Sequence, residues 1–133
     1  MTPLQRAADY LSVPYVRHGH SLEGWDCLGC LKVAGQILFA KDFPYGADFY
    51  APTDGDDPER KHALFAAQLP RWRETTAGPG RAVLFSRCGL FYHVGLMLDA
   101  RWFLHAETPA AGTQITRLAG IWLRRQPRFM DAF

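Results

Sequence analysis

The chain has 133 residues, 48% hydrophobic and 21% charged, which fits one globular domain and excludes a chain too polar to offset its ordering entropy. Nine Phe, five Tyr and four Trp can fill a core without disulfide staples. Fifteen scattered Lys and Arg against thirteen Asp and Glu leave no nucleic-acid footprint, and no run reaches the roughly 20 apolar residues of a membrane span.

Thr2-Pro3-Leu4-Gln5 reads as a helix start, with Thr as N-cap, Pro at the first helical position and Gln three residues after the cap. That helix is expected to run to about Leu11, before Pro14. Arg17 to Trp25 is polar and Gly-bearing, hence a loop. Asp26 caps a second helix over Cys27–Ala40, with Leu28, Leu31, Gly35 and Leu38 on one stripe. The small Gly29 and Gly35 allow close packing against a sheet. Phe43 to Asp56 is rich in Gly, Pro and Asp and is expected to be irregular. Asp57-Pro58-Glu59 opens a third helix that Pro70 limits, and Thr75 to Gly80 is a further break. Strands follow: Ala82–Ser86, a hairpin of Phe91–Leu98 and Trp102–Ala106 turning at Asp99–Arg101, then Thr113–Arg117 and Ile121–Arg124. Helices first and an antiparallel sheet afterwards predict an α+β domain. The whole of 1–133 is read as one domain with an irregular or helical insertion at about 43–77.

The hairpin carries two histidines. If its turn centres on residue 99, His93 and His105 face each other across the strands. Alternation then puts Tyr92, Val94, Leu96, Leu98, Trp102, Leu104 and Ala106 on one face. Phe91, His93, Gly95, Phe103 and His105 fall on the other. Cys27 sits in the first turn of its helix, where unpaired N–H groups and the helix dipole favour a thiolate. A thiolate with an imidazole base and a third polar group to orient that base is the apparatus of a cysteine hydrolase. The bland alternative is that Cys27 is a small core hydrophobe and the histidine pair is structural.

At these residues the chain resembles the NlpC-type cell-wall cysteine peptidases, which have a compact papain-like fold. Gly24-Trp25-Asp26-Cys27-Leu28-Gly29 resembles their G-x-D-C-S-G motif, and His93-Val94-Gly95-Leu96 their H-V-G-I strand. Phe103-Leu104-His105-Ala106 resembles the strand bearing their third catalytic residue. Pro79-Gly80-Arg81-Ala82-Val83-Leu84-Phe85 follows P-G-D-L-V-L-F, and Pro14-Tyr15 with Gly19 follows P-Y-x-x-G-G, whose second glycine is missing, with His20 in its place. The resemblance spans about Tyr10 to Arg125. It implies Cys27 as nucleophile, His93 as base and then acid, and His105 as the orienting residue. It also implies Tyr15 and Asp26 near the amine end of the substrate, with Leu28 and His20 beside the cleft. The implied substrate is a peptidoglycan stem peptide cut after D-γ-glutamate, with no metal or organic cofactor. The long segment from Phe43 to Ala77 is most similar to the phage-tail and gene-transfer-agent branch. Met1 to Ala8 shows no export signal. Synthesis in the cytoplasm and delivery to the wall with phage-like tail proteins are therefore expected. Two departures stand out: Leu28 in place of the family serine, and Arg81 in place of the Asp of P-G-D.

Four rivals accompany this reading. Cys27-Leu28-Gly29-Cys30 is a C-x-x-C, the mark of a thioredoxin-like redox pair, though the approach is a polar loop rather than a buried strand. Cys27, Cys30, Cys88 and His93 give an irregular zinc set. His18 and His20 are alternative metal ligands, or solvated or cleft-lining loop residues. A catalytically silent structural tail component keeps the fold without the reaction. Arg124, Arg125 and Arg128 form a small basic patch, read as a solvated face or as a contact for an anionic glycan or a partner protein.

Overall fold

The structure is a computed structural model that describes residues 1–43 and 57–132. Helix α1 (Pro3–Ala7) starts with a reciprocal capping box: the Gln5 N–H donates to Thr2 Oγ1 at 3.1 Å, and the Thr2 N–H to Gln5 Oε1 at 2.9 Å. A 3-10 turn over Ala8–Tyr10 ends it.

The polar stretch that follows is more ordered than its composition suggests. Strands β1 (His20–Ser21) and β2 (Gly24–Trp25) pair antiparallel and lead straight into helix α2 (Cys27–Phe39). The fully buried Trp25 anchors this hairpin. Its indole N–H donates to Thr113 Oγ1 at 2.8 Å, and that hydroxyl donates to the Val13 carbonyl at 2.7 Å. Helix α2 buries Leu28, Leu31, Ala34, Gly35 and Leu38 at helical spacing and ends at Ala40 in the left-handed region (φ 53°). Its two glycines answer to loops rather than to the sheet. A Cβ at Gly29 would lie 1.9 Å from the Gly19 carbonyl oxygen, and one at Gly35 would lie 3.0 Å from the Phe43 ring.

The irregular stretch expected up to Asp56 falls, beyond Phe43, outside the described residues. Helix α3 (Pro58–Gln68) is capped by the Asp57 carboxylate and runs into a 3-10 turn at Leu69–Arg71. Strand β3 (Trp72–Thr75) follows at once, where no strand is expected from sequence. The remaining elements are β4 (Ala82–Arg87), β5 (Leu90–Met97), β6 (Trp102–Ala106), β7 (Thr113–Arg117), the single-turn helix α4 (Ile121–Arg124) and β8 (Arg128–Ala132). The main sheet runs β3-β8-β4-β5-β6-β7, every neighbouring pair antiparallel. The expected α+β class holds. The expected strand at Ile121–Arg124 does not: Gly120 (φ 58°) and Gln126 (φ 52°) bracket a tight turn that lets β8 return between β3 and β4.

The sheet has two apolar faces. Ala82, Leu84, Val94, Leu96, Leu98, Leu104 and Ala106 pack with α2. Val83, Phe85, Met97 and Phe103 form a smaller cluster on the opposite face, with Tyr92, Trp122 and Phe129 against it. Two register details correct the expected hairpin. First, β5 and β6 pair as Leu96↔Leu104 and Met97↔Phe103, so the ladder is offset by two residues and His93 and His105 are diagonal rather than opposed. Second, the β4–β5 ladder passes from Phe85↔His93 to Ser86↔Phe91, leaving Tyr92 as an extra residue. That bulge sends Phe91 to the α2 face and Tyr92 to the other, the reverse of simple alternation.

Candidate active site

Cys27 stands in the first turn of α2 because Asp26 holds the helix start. One carboxylate oxygen of Asp26 accepts the Gly29 N–H at 2.9 Å, and the other accepts the His18 N–H at 3.0 Å. The thiol lies against strand β5, with the backbone N–H groups of Val94 and Leu28 directed at the sulfur. Val94 lies beyond the stretch where β5 pairs with β6. Cys27 is only 7% exposed, and burial pushes its thiol up to about 11; the Lys61 ammonium pulls it down, Asp26 pushes it further up, and the two N–H groups lower it. The dipole effect expected from sequence is thus outweighed by desolvation, and the resting sulfur is a neutral thiol. Cys30, one turn on, is also buried, and burial drives its thiol well above the ordinary range.

His93 follows the bulge and precedes Val94, so its imidazole belongs to the strand position adjacent to the one that meets the sulfur. Its Nε2 lies 2.8 Å from His105 Nδ1, and His105 Nε2 lies 2.8 Å from Thr116 Oγ1. Both rings lie on the sheet face away from the body of α2. Phe85 stacks on His93 at 6.0 Å, Phe103 lies 4.5 Å from His105, and Trp122 of α4 lies 5.9 Å from the first ring and 5.0 Å from the second. Burial lowers the His93 pKa well below the ordinary imidazole value, helped by His105, Lys61, Arg125 and Arg87; burial and Arg125 push His105 down to about 4. Both rings are therefore neutral near pH 7. No hydrogen bond joins the Cys27 thiol to either ring among the described residues. The structure brings His93 and His105 together and sets the sulfur beside the next backbone N–H of β5.

Helix α3 packs on β5 next to this site. His62 Nδ1 accepts the Phe91 N–H at 2.9 Å, and its ring stacks on Phe91 at 5.0 Å. Of the residues expected around the substrate, Asp26 is 4% exposed with both oxygens engaged as a cap, and Leu28 is 4% exposed in the core. Tyr15 bridges to Trp25. His20 lines an open cavity of about 400 Å³ with Val16, His18, Gly19, Ser21, Glu23 and Gly24.

The rivals fare differently against this geometry. Cys88 is exposed at a left-handed position (φ 53°) while Cys27 and Cys30 are buried, and no group of three metal-ligating side chains is arranged together among the described residues. Cys27 and Cys30 are both free and buried, and burial raises both thiols. Among the described residues, no helix is long and apolar enough to cross a membrane. Sequence reasoning missed Thr116, although alternation along β7 carries the signal: Phe103↔Thr116 and His105↔Gln114 are opposed pairs that share the histidine face. It missed Lys61 and Trp122 because only tertiary packing brings them to the site.

No protein-family model and no curated protein matches the chain. The solved structures do. The NlpC/p60 domain of the peptidoglycan hydrolase SagA aligns over 99% of this chain and 97% of its own, with a TM-score of 0.57 and 18% identity. An NlpC/P60 family protein from Bacillus cereus ATCC 10987 aligns over 98% of this chain and 39% of its own, with a TM-score of 0.59 and 13% identity. The fold is that of the NlpC/p60 domains.

Proposed function

We propose that the protein is a cysteine peptidase that hydrolyses amide bonds of peptidoglycan stem peptides. The observation that carries this reading is that His93 of β5, hydrogen-bonded to His105 of β6, immediately precedes Val94, whose N–H meets the Cys27 sulfur, within the fold of the NlpC/p60 domains. In the reaction, His93 accepts the thiol proton as the sulfur attacks the amide carbon. First-turn N–H groups of α2 not held by Asp26 stabilise the oxyanion. His93 then protonates the leaving amine, and water hydrolyses the thioester with His93 again as base. His105 orients His93. No metal or organic cofactor takes part.

The finer reading is cleavage after D-γ-glutamate, with Tyr15, Asp26 and His20 on the substrate side. It includes cytoplasmic synthesis and delivery to the wall with a phage-like particle, whose tail proteins are the partners. It draws support from the sequence resemblance alone. The test is digestion of purified peptidoglycan with product masses measured for the native protein and Cys27→Ala. New stem-peptide fragments from the native protein alone are expected. Equal yields from both proteins reject the nucleophile, and no release by either leaves a silent structural role.

A further inference from the structure

The His93–His105 contact does not end at His105. Its far nitrogen lies 2.8 Å from the Thr116 hydroxyl on β7, so three side chains on three adjacent strands form one chain of hydrogen bonds. A neutral imidazole carries one ring proton, and the group at one nitrogen decides what the other can do. In a triad closed by a carboxylate, the acid both selects the tautomer and stabilises the imidazolium. Among the described residues, the charged side chains acting on this pair are cations: Arg125 beyond α4, Arg87 on β4 and Lys61 on α3. The nearby acid Glu107 is taken up, with its Oε2 3.2 Å from Arg125 and 3.3 Å from the Tyr92 hydroxyl. Nothing here favours an imidazolium at rest, so what the surroundings must set is the proton's position.

We infer that Thr116 is the residue that fixes the tautomers of the pair, accepting the His105 Nε2–H so that His105 Nδ1 accepts the His93 Nε2–H. Thr116 is half-buried, so its own hydroxyl proton can go to water while its oxygen accepts. The second ring nitrogen of His93 then keeps a free lone pair. Reversing the chain would put a proton on that nitrogen and remove its ability to take one. Thr116 is a positioning residue, not a catalytic one. Its link to turnover rests on the function proposed above; its link to the tautomers does not.

The test is nitrogen-15 NMR of the imidazoles in Cys27→Ala protein, with and without Thr116→Val and Thr116→Ser. Valine keeps the branched shape that suits a strand. Nε2–H forms of both histidines are expected in the parent and the serine protein. In the valine protein, His105 should shift toward Nδ1–H, donating back to His93. In otherwise native protein, Thr116→Val should lower kcat about tenfold, the scale of one net hydrogen bond, with KM unchanged and serine restoring it. An Nδ1–H form of His105 in the parent, or valine protein with unaltered tautomers or turnover, overturns the inference. If no protein cleaves peptidoglycan, the proposed function fails while the NMR arm still decides the role of Thr116.

Discussion

His93 Nε2 lies 2.8 Å from His105 Nδ1 although the two residues are not opposed in the ladder, whose pairs are Leu96↔Leu104 and Met97↔Phe103. Continuing that register puts Gly95, not His93, across from His105. The diagonal reach depends on Phe103, whose ring lies 4.5 Å from that of His105. A Cβ at Gly95 would lie 2.9 Å from the Phe103 ring. Gly95→Ala is therefore expected to push Phe103 against the imidazole, break the pair and cost about 1–3 kcal/mol by overpacking. Denaturant unfolding together with the imidazole NMR signals checks both halves; an alanine protein of native stability with the pair intact is incompatible with this packing.

The resting thiol of Cys27 should alkylate slowly near neutral pH. Its pKa is pushed up to about 11, chiefly by burial, with Lys61 the main opposing influence. Iodoacetamide labelling of Cys88→Ser protein should accelerate steadily up to about pH 11, and Lys61→Met should move the midpoint higher because the ammonium is gone. A labelling midpoint near pH 7 in the unliganded protein would show instead a preformed ion pair with His93.

Acid should unfold the protein through the histidines. His105 is pushed from its ordinary 6.5 down to about 4, so the unfolded chain binds a proton more readily than the folded one. This contribution is complete above about pH 6.5 and is lost as pH falls through about 4; by linkage it amounts to roughly 3 kcal/mol. Unfolding free energies at pH 7 and pH 4 should differ less in His105→Gln than in the native protein. Parallel losses in both would assign the acid sensitivity to carboxylates.

Leu28, which departs from the sequence motif, is 4% exposed and packs in the main core. Leu28→Ser is expected to destabilise by about 2–5 kcal/mol, as large-to-small core changes do, without improving cleavage. Thermal melts and peptidoglycan digestion measure the two separately. A serine protein that is both stable and faster would place position 28 in contact with substrate.

Much of the site is legible in sequence because short-range rules create it. Asp26 caps α2 and so places Cys27 in the first turn; alternation puts His93 and His105 on one face. The offset of two residues between β5 and β6 preserves that face, which is why the pair survives a wrong register. What escapes is non-local. The bulge at Tyr92 is a register shift within the β4–β5 ladder, where Phe91 to His93 face only Phe85 and Ser86, and pairing of that kind is visible only between strands. The strands β3 and β8 are short, lack a clean alternation of apolar and polar residues and are recognisable only once paired. Ile121–Arg124 has strand-like residues, yet the path to β8 demands a turn, and Trp122 is spent covering the two rings. Desolvation of Cys27 likewise comes from distant chain packing over it, so the local helix dipole misleads about its charge.

The carbonyl of Gly19 occupies the space that a Cβ at Gly29 would need, at 1.9 Å from where that carbon would sit. Shifting backbone rather than a flexible side chain is what any larger residue would demand. A saturation library at position 29 selected only for folding should therefore return glycine alone. That position offers a sentinel for intact architecture in variants whose chemistry has been altered on purpose.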